Sequence, residues 1–269
     1  MKCPLSGVMK NEYIFNRNQQ EQELLRLRLI EEALDPVTLT HLQATGIGKG
    51  WRCLEVGAGA GSIMKWMGSV VGDGQVVAVD TNTDPMRHLS AAPYQVVEGD
   101  FLDASLDGEF DLAHCRYVLI HNRRSQDMLK KLCALVKPEG FLVLEEPDFT
   151  SAKLLNHAAD PALQHVNNAI CRMFEQMQLD PAYGLGLPRK IAGEGLRILR
   201  VDSRIHLHCG GDTMARMMGE STRALRDKYI ATGEADGADI EKYIESANDD
   251  RFWAVYYSTV SVVAQKTIG

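Results

Sequence analysis

The chain has 269 residues, of which 24% are charged and 45% hydrophobic, and its formal net charge is −7. A globular chain of this size buries a substantial core, and its acidic balance lacks the basic face that a nucleic-acid partner requires. The start, "MKCPLSGVMKNEYIF", has no apolar leader core, and no run of 18 apolar residues follows. Neither export nor a membrane association is therefore expected, and the cytoplasm is the expected location. Cysteines at 3, 53, 115, 133, 171 and 209 contain no CxxC pair. They read as small buried hydrophobes in a reducing compartment, with no metal site among them.

In chain order, "RNQQEQELLRLRLIEEAL" reads as an amphipathic helix, stopped at Asp35 and Pro36. A second helix, "DPVTLTHLQAT", starts there with Asp as cap and Pro at its first position, and ends at "GIGKG". Short apolar runs then alternate with helical stretches. "CLEV", "QVVAVD", "YQVVEGD", "FDLAHC" and "GFLVLEE" read as strands. "SIMKWMGSVV", "DPMRHLS" and "RRSQDMLKKLCALV" read as helices, and "KPEG" as a turn. This alternation predicts an α/β fold with a mostly parallel sheet covered by helices on both faces. Beyond Pro147 the pattern turns helical, with two strands near the end in "LRVDSRIHLHC" and "FWAVYYSTVSVVAQK". The expected organisation is an N-terminal helical cap over 1–46 and one larger domain over 47–269. That domain carries a helical insertion at about 151–197 and further helical cover at about 211–247.

The chemistry centres on "CLEVGAGAGS", residues 53–62, with glycines at 57, 59 and 61. A strand, a glycine turn and a helix in succession present backbone N–H groups that a ligand can approach closely. Asp80 closes the next strand about 20 residues on, where an acid accepts hydrogen bonds from ribose hydroxyls. The pair points to an adenosine-type ligand. A dinucleotide loop places its third small residue where Ser62 stands, and here the glycine falls at 61. Glu55, inside the strand before the glycines, would repel a pyrophosphate and attract a cation.

"LEVGAGAGS" resembles the first motif (E/D-x-G-x-G-x-G) of class I S-adenosylmethionine-dependent methyltransferases. The resemblance continues in order through "VVAVD", "EGDFLD", "FDLAHCRYVLIH" and "LVKPEGFLVLEEPDF", over roughly residues 40–149. It is closest to the branch that methylates small molecules, near the ubiquinone- and menaquinone-type enzymes. The resemblance implies a Rossmann-like sheet of seven strands with the last antiparallel, and S-adenosyl-L-methionine as cofactor. Glu55, Gly57, Ala58 and Gly59 would hold the methionine end, and Asp80 the ribose. Thr81 and Asn82 would lie beside the adenine, Asp100 would contact its amino group, and Phe101 would flank the ring. Cys115 and Arg116 would mark where the backbone meets the methionine moiety. The expected acceptor is an O, N or C nucleophile of a small, partly apolar metabolite, and a homodimer is compatible with it. An NAD(P)-dependent oxidoreductase and a non-catalytic cofactor-binding relative remain as alternatives.

Several side chains compete for roles at the acceptor. His121 follows a strand end, where pockets open in such sheets, and is the candidate base, with Glu146 behind it. Glu145 and Asp148 are either substrate-facing or loop-bracing acids. His114, inside its strand, reads as core. His206, His208 and Cys209 have metal-like spacing but no supporting second pair, and read as plain strand. Tyr13 and Arg26 lie on segments that would cap the pocket. Met214, Met217 and Met218, at helical spacing, read as core or as the lining of an apolar cavity.

Overall fold

The computed structural model of the chain describes residues 20–89, 91–155 and 160–268. It begins with helix α1 (Gln20–Gln43) and then alternates: β1 (Arg52–Val56), α2 (Ser62–Val71), β2 (Gln75–Asp80), β3 (Tyr94–Glu98), β4 (Phe110–Arg116), α3 (Ser125–Leu135) and β5 (Val136–Asp148). Helices α4 (Thr150–Leu155), α5 (Pro161–Gln176) and α6 (Tyr183–Gly193) lead to β6 (Leu196–Ile205) and the two-residue β7 (His208–Cys209). Next come α7 (Thr213–Ala224), α8 (Arg226–Ile230), α9 (Gly237–Ser246), the short β8 (Trp253–Ala254) and β9 (Ser258–Lys266).

Seven strands form one sheet in the order β3-β2-β1-β4-β5-β9-β6. The first five pair in parallel, and β9 runs antiparallel to both β5 and β6. The central strands are apolar almost throughout: Cys53, Leu54, Val56 and Val76 to Val79 are all buried. That is the pattern of a sheet covered on both faces. Strand order reverses between β1 and β4, and a crevice opens there beyond the carboxyl ends of the strands.

Three of the covering helices, α5, α7 and α9, are started by aspartates. Asp160 accepts the Ala162 N–H at 2.9 Å with Pro161 in the first turn, and Asp212 accepts the Ala215 N–H at 2.8 Å. Asp236 and Asp239 form a reciprocal capping box at the start of α9.

Three local expectations are corrected. Asp35 and Pro36 do not separate two helices, because α1 runs continuously through Pro36. Tertiary bonds fix the helix on both sides of the proline. Arg116 donates to Asp35 at 2.9 Å and to the Thr38 hydroxyl at 2.8 Å, while Thr38 itself donates to Glu145. Those contacts outweigh the hydrogen bond that proline deletes. "DPMRHLS" contains only a 3₁₀ turn, Asp84–Met86, and "KPEG" lies within β5, with Glu139 at φ 63°.

Candidate active site

The crevice is a cavity of about 270 Å³ bounded by the glycine loop, the ends of β2, β3 and β4, and one face of α1. Gly57, Gly59 and Gly61 all sit in the left-handed region, at φ 73°, 58° and 92°. At Gly57 the backbone is also pressed against its neighbour: an added Cβ would lie 2.1 Å from Val118 Cγ2. The loop is braced from below and from the side. The Gly57 N–H donates to the Val79 carbonyl at 2.8 Å, and the Gly59 N–H to Asp80 Oδ2 at 3.0 Å. Asp80 Oδ1 accepts the Asn82 N–H at 2.9 Å. Asp80 therefore ties the glycine loop to the turn after β2, and carboxylate oxygens can accept further bonds from hydroxyls.

Helix α2 begins at Ser62 after Gly61, which has no side chain to cap it. Glu31 of α1 takes that role, accepting the Ser62 N–H at 2.9 Å. The loop after β3 is pinned by α3: Lys131 Nζ donates to the carbonyls of Phe101, Leu102 and Ala104 at 2.6, 3.1 and 2.7 Å. Asp100 turns the same loop by accepting the Leu102 N–H at 2.8 Å.

Glu55, Gly57, Ala58, Gly59, Asp80, Thr81, Asn82, Asp100, Phe101 and Arg116 all line this one cavity. Cys115 does not: its side chain is wholly buried in the core, and only its neighbours Arg116 and Tyr117 face inward. Among the lining residues five carboxylates (Glu23, Glu31, Glu55, Asp80, Asp100) stand against two guanidiniums, Arg26 and Arg116. That surplus suits a ligand carrying positive charge and repels a pyrophosphate. Glycine amides at one end, a ribose-height acid in the middle and an aromatic at the other end together fit S-adenosylmethionine.

A second, smaller chamber of about 60 Å³ adjoins the first and shares Arg26, Ile30, Tyr117 and His121 with it. Its other walls are Pro147, Phe149, Ile170, Met173, Phe174, Met217, Met218, Ser221, Leu225, Tyr229 and Tyr257. Met214, Met217 and Met218 all belong to the core, and Met217 and Met218 also line this chamber. Phe149 stacks on Phe174 with ring centroids 5.2 Å apart and meets Tyr257 edge-on at 5.4 Å. His121 stacks on the same Phe174 at 5.8 Å. Burial, reinforced by the Arg26 charge, lowers His121 to about 3, so the imidazole is neutral across the physiological range.

Tyr117, at the junction of the two spaces, holds φ 57°, a conformation that costs a bulky residue about 1–2 kcal/mol. Its hydroxyl pairs with Thr259 and its ring meets Tyr257 edge-on at 5.8 Å, so β9 holds it in place.

Glu146, expected to stand behind His121, lines neither space. Its carboxylate accepts the N–H groups of Val118, Leu119 and Ile120 at 3.2, 2.8 and 3.2 Å, while burial pushes its pKa up to about 8 against the pull of those amides. It braces the turn that carries Val118 and His121. Glu146→Gln should therefore cost roughly 1–2 kcal/mol in chemical denaturation, with turnover per folded molecule within about threefold of the parent. Loss of turnover without loss of stability would restore Glu146 as the base. Asp148 likewise braces, accepting the Thr150 N–H at 2.9 Å and the Ser258 hydroxyl at 3.3 Å.

His206 and His208 lie with rings 5.9 Å apart, and His208 pairs with Asp212 at 3.0 Å. Among the described residues no three His, Cys, Asp or Glu side chains gather as metal ligands. Tyr13 lies outside the described residues. No helix among them is long and apolar enough to cross a membrane.

Sequence reasoning passed over Glu23, Glu31 and Tyr117. Glu23, Arg26, Leu27, Ile30 and Glu31 form one helical stripe facing the cavity, and the charged residues interrupting that apolar stripe were the available signal. Arg26 and Glu23 make a two-point pair, at 2.8 and 2.6 Å. No local pattern announces a tyrosine at positive φ.

The comparisons agree with this geometry. A family described as "Methyltransferase domain" matches residues 16–181. Methyltransferase str2 of Strobilurus tenacellus is 30% identical over 169 residues, covering 61% of this chain and 60% of that protein. Methyltransferase str3 of the same organism is 29% identical over 145 residues, covering 53% and 52%. The chain thus spans about half to three-fifths of the length of these curated relatives. In fold, the chain is similar to the cyclopropane synthase MmaA2 of Mycobacterium tuberculosis, with TM-score 0.62, 15% identity and coverage of 97% and 99%. The cyclase SpnF gives TM-score 0.56, 17% identity and coverage of 88% and 82%. Sheet order and cavity define a Rossmann-like methyltransferase fold. The chain belongs to the methyltransferase domain family, whose class I members use S-adenosylmethionine.

Proposed function

We propose that the chain methylates an acidic oxygen on a small, flat, largely apolar metabolite, working in the cytoplasm. The observation that carries the reading is the passage from an acid-lined, glycine-floored cavity into an aromatic and methionine-lined chamber, through Arg26, Tyr117 and His121. S-adenosylmethionine, when bound, supplies a methyl group on a positively charged sulfur. The chain's part is then mainly to align the two reactants and exclude water. Tyr117 and His121 wall the junction, where the acceptor atom must lie.

Among the described residues the chamber's lining contains no carboxylate, and its one charged side chain is Arg26, which is paired with Glu23. A neutral histidine and a cation favour an acceptor oxygen that is already acidic, such as a phenol, enol or carboxylic acid, over an amine that must shed a proton. His121 receives the hydrogen bond of that hydroxyl and takes its proton as the oxygen is methylated, passing it on to solvent. Methyl-labelled S-adenosylmethionine offered with a panel of phenols, enols, carboxylic acids and amines checks this. Label on oxygen is expected, and label confined to amines would refute the oxygen assignment.

His121→Phe keeps the stack on Phe174 and removes the acceptor nitrogen. It should lower turnover about a hundredfold while leaving affinity for S-adenosylhomocysteine within about threefold. In the parent, no inflection in the pH profile between pH 5 and 9 should trace to this residue, because it stays neutral there. Full turnover in the variant would remove His121 from the reaction. A nicotinamide dinucleotide is the weaker ligand reading, since its pyrophosphate would face Glu55 and Glu31 at the glycine loop.

A further inference from the structure

Glu55 is 3% exposed, yet it is one of the residues lining the cofactor cavity. An acid so deeply placed loses its charge unless something opposite compensates. Parallel register sets Glu55 of β1 directly beside His114 of β4. The imidazole Nδ1 is hydrogen-bonded to Glu55 Oε2 at 2.8 Å, and its Nε2 lies at ion-pair distance, 3.5 Å, from Glu145 Oε2 on β5 without hydrogen-bond geometry. His114 is wholly buried and lines neither cavity. It stands behind the wall, between two carboxylates.

We propose that His114 is a positioning residue: clamped by Glu145, it holds Glu55 as a carboxylate aimed at the amino group of the bound cofactor's methionine end, and so selects ligands that carry that end. The inference rests on the cofactor reading above.

Groups on α1, β4, β5, β6 and β9 surround the imidazole. Glu145 is itself fixed, accepting from Thr38 of α1 and, at 2.8 Å, from the Ser261 hydroxyl of β9. Arg116, two residues along β4, pairs with Asp35 of α1 at 2.9 Å. His41 of α1 lies 3.8 Å from Glu145 and 3.7 Å from Asp202 of β6. Burial lowers His41 despite those acids, so it adds no cation to the cluster. Burial works against a charge on His114 as well, but Glu55 and Glu145 overcome it and raise the imidazole to about 9. Burial would raise Glu145 too, yet His114, Arg116 and Thr38 together hold it at about 2. For Glu55 burial pushes upward and leaves its pKa above the ordinary carboxylate value, and the His114 cation is the largest force limiting that rise. One imidazolium between two carboxylates leaves one negative charge over, on the side that meets the ligand. Without His114, Glu55 has only the more distant Arg116 to keep it ionised.

Calorimetry on the full chain with two ligands tests the proposal: S-adenosylhomocysteine, and 5′-methylthioadenosine, which keeps the nucleoside and thioether but lacks the amino-acid tail. His114→Gln should weaken S-adenosylhomocysteine at least tenfold and change 5′-methylthioadenosine less than threefold. Glu55→Gln should give the same pattern. Unchanged affinity for S-adenosylhomocysteine in either variant, or equal weakening of both ligands, overturns the proposal and leaves the cofactor reading standing. If the parent binds neither ligand, the cofactor reading fails and takes the proposal with it. Should His114→Gln not fold, nitrogen-15 spectra of the imidazoles in the parent decide instead. His114 should show both ring nitrogens protonated at pH 7.5, and a neutral tautomer there overturns the clamp.

Discussion

Gly57→Ala should destabilise the fold by about 2 kcal/mol or more and weaken S-adenosylhomocysteine binding at least tenfold. Two separate costs combine at this residue. The backbone sits at φ 73°, which for an alanine costs about 1–2 kcal/mol. The new methyl would also overlap Val118 Cγ2 at 2.1 Å. Val118 cannot simply turn away. It is β-branched, and its own N–H is held by Glu146, whose carboxylate also ties the next two amides. The strain must then move into the glycine loop or into the turn that carries His121, and both bound the cofactor cavity. Urea unfolding reads the first cost, and calorimetry of the folded fraction reads the second. A variant within about 0.5 kcal/mol of the parent and with parental affinity would show that the loop is not pressed against Val118 in solution.

The same residue shows what was legible in the sequence. A strand, three alternating glycines and a helix are local, so "CLEVGAGAGS" disclosed the turn and its ligand class before any coordinates. Asp80 and Asp100 were legible for the same reason, since Asp80 closes β2 and Asp100 follows the end of β3 by two residues. Val118 was not, because nothing in its neighbourhood records that it touches Gly57 across the sheet. His114 is the sharper case. Its apolar strand context reads as core, and it is buried, but its neighbours Glu55 and Glu145 come from strands about 60 and 30 residues away in chain order. Parallel pairing through crossovers brings such groups together, and a single sequence does not state the register. Helix α1 failed in the opposite direction. Local propensity stops it at Pro36, while the Asp35, Thr38, Arg116 and Glu145 contacts carry it through. Long-range hydrogen bonding also explains Glu146. Its position at the end of an apolar strand suggested a base, but three amides of the turn after β4, 26 to 28 residues earlier in the chain, converge on it.

Asp80→Ala should weaken S-adenosylhomocysteine at least tenfold, about 1.4 kcal/mol, and 5′-methylthioadenosine by a similar factor. Both ligands carry the ribose, so the loss should not distinguish them. That is the opposite of the pattern expected for His114 and Glu55, which act on the amino-acid tail. The variant loses more than a partner for ribose hydroxyls. It also releases the Gly59 N–H, bound at 3.0 Å, and the Asn82 N–H, bound at 2.9 Å, so the glycine loop and the turn after β2 come untied. Asp80→Asn separates the two contributions. Its single amide oxygen can keep one backbone N–H, but not both amides and the ribose together. Affinity for both nucleosides should then fall to an intermediate value, with stability closer to the parent than in the alanine variant. If Asp80→Ala instead weakens S-adenosylhomocysteine alone, the acid faces the tail rather than the ribose, and the direction of the bound cofactor along the cavity must be reversed.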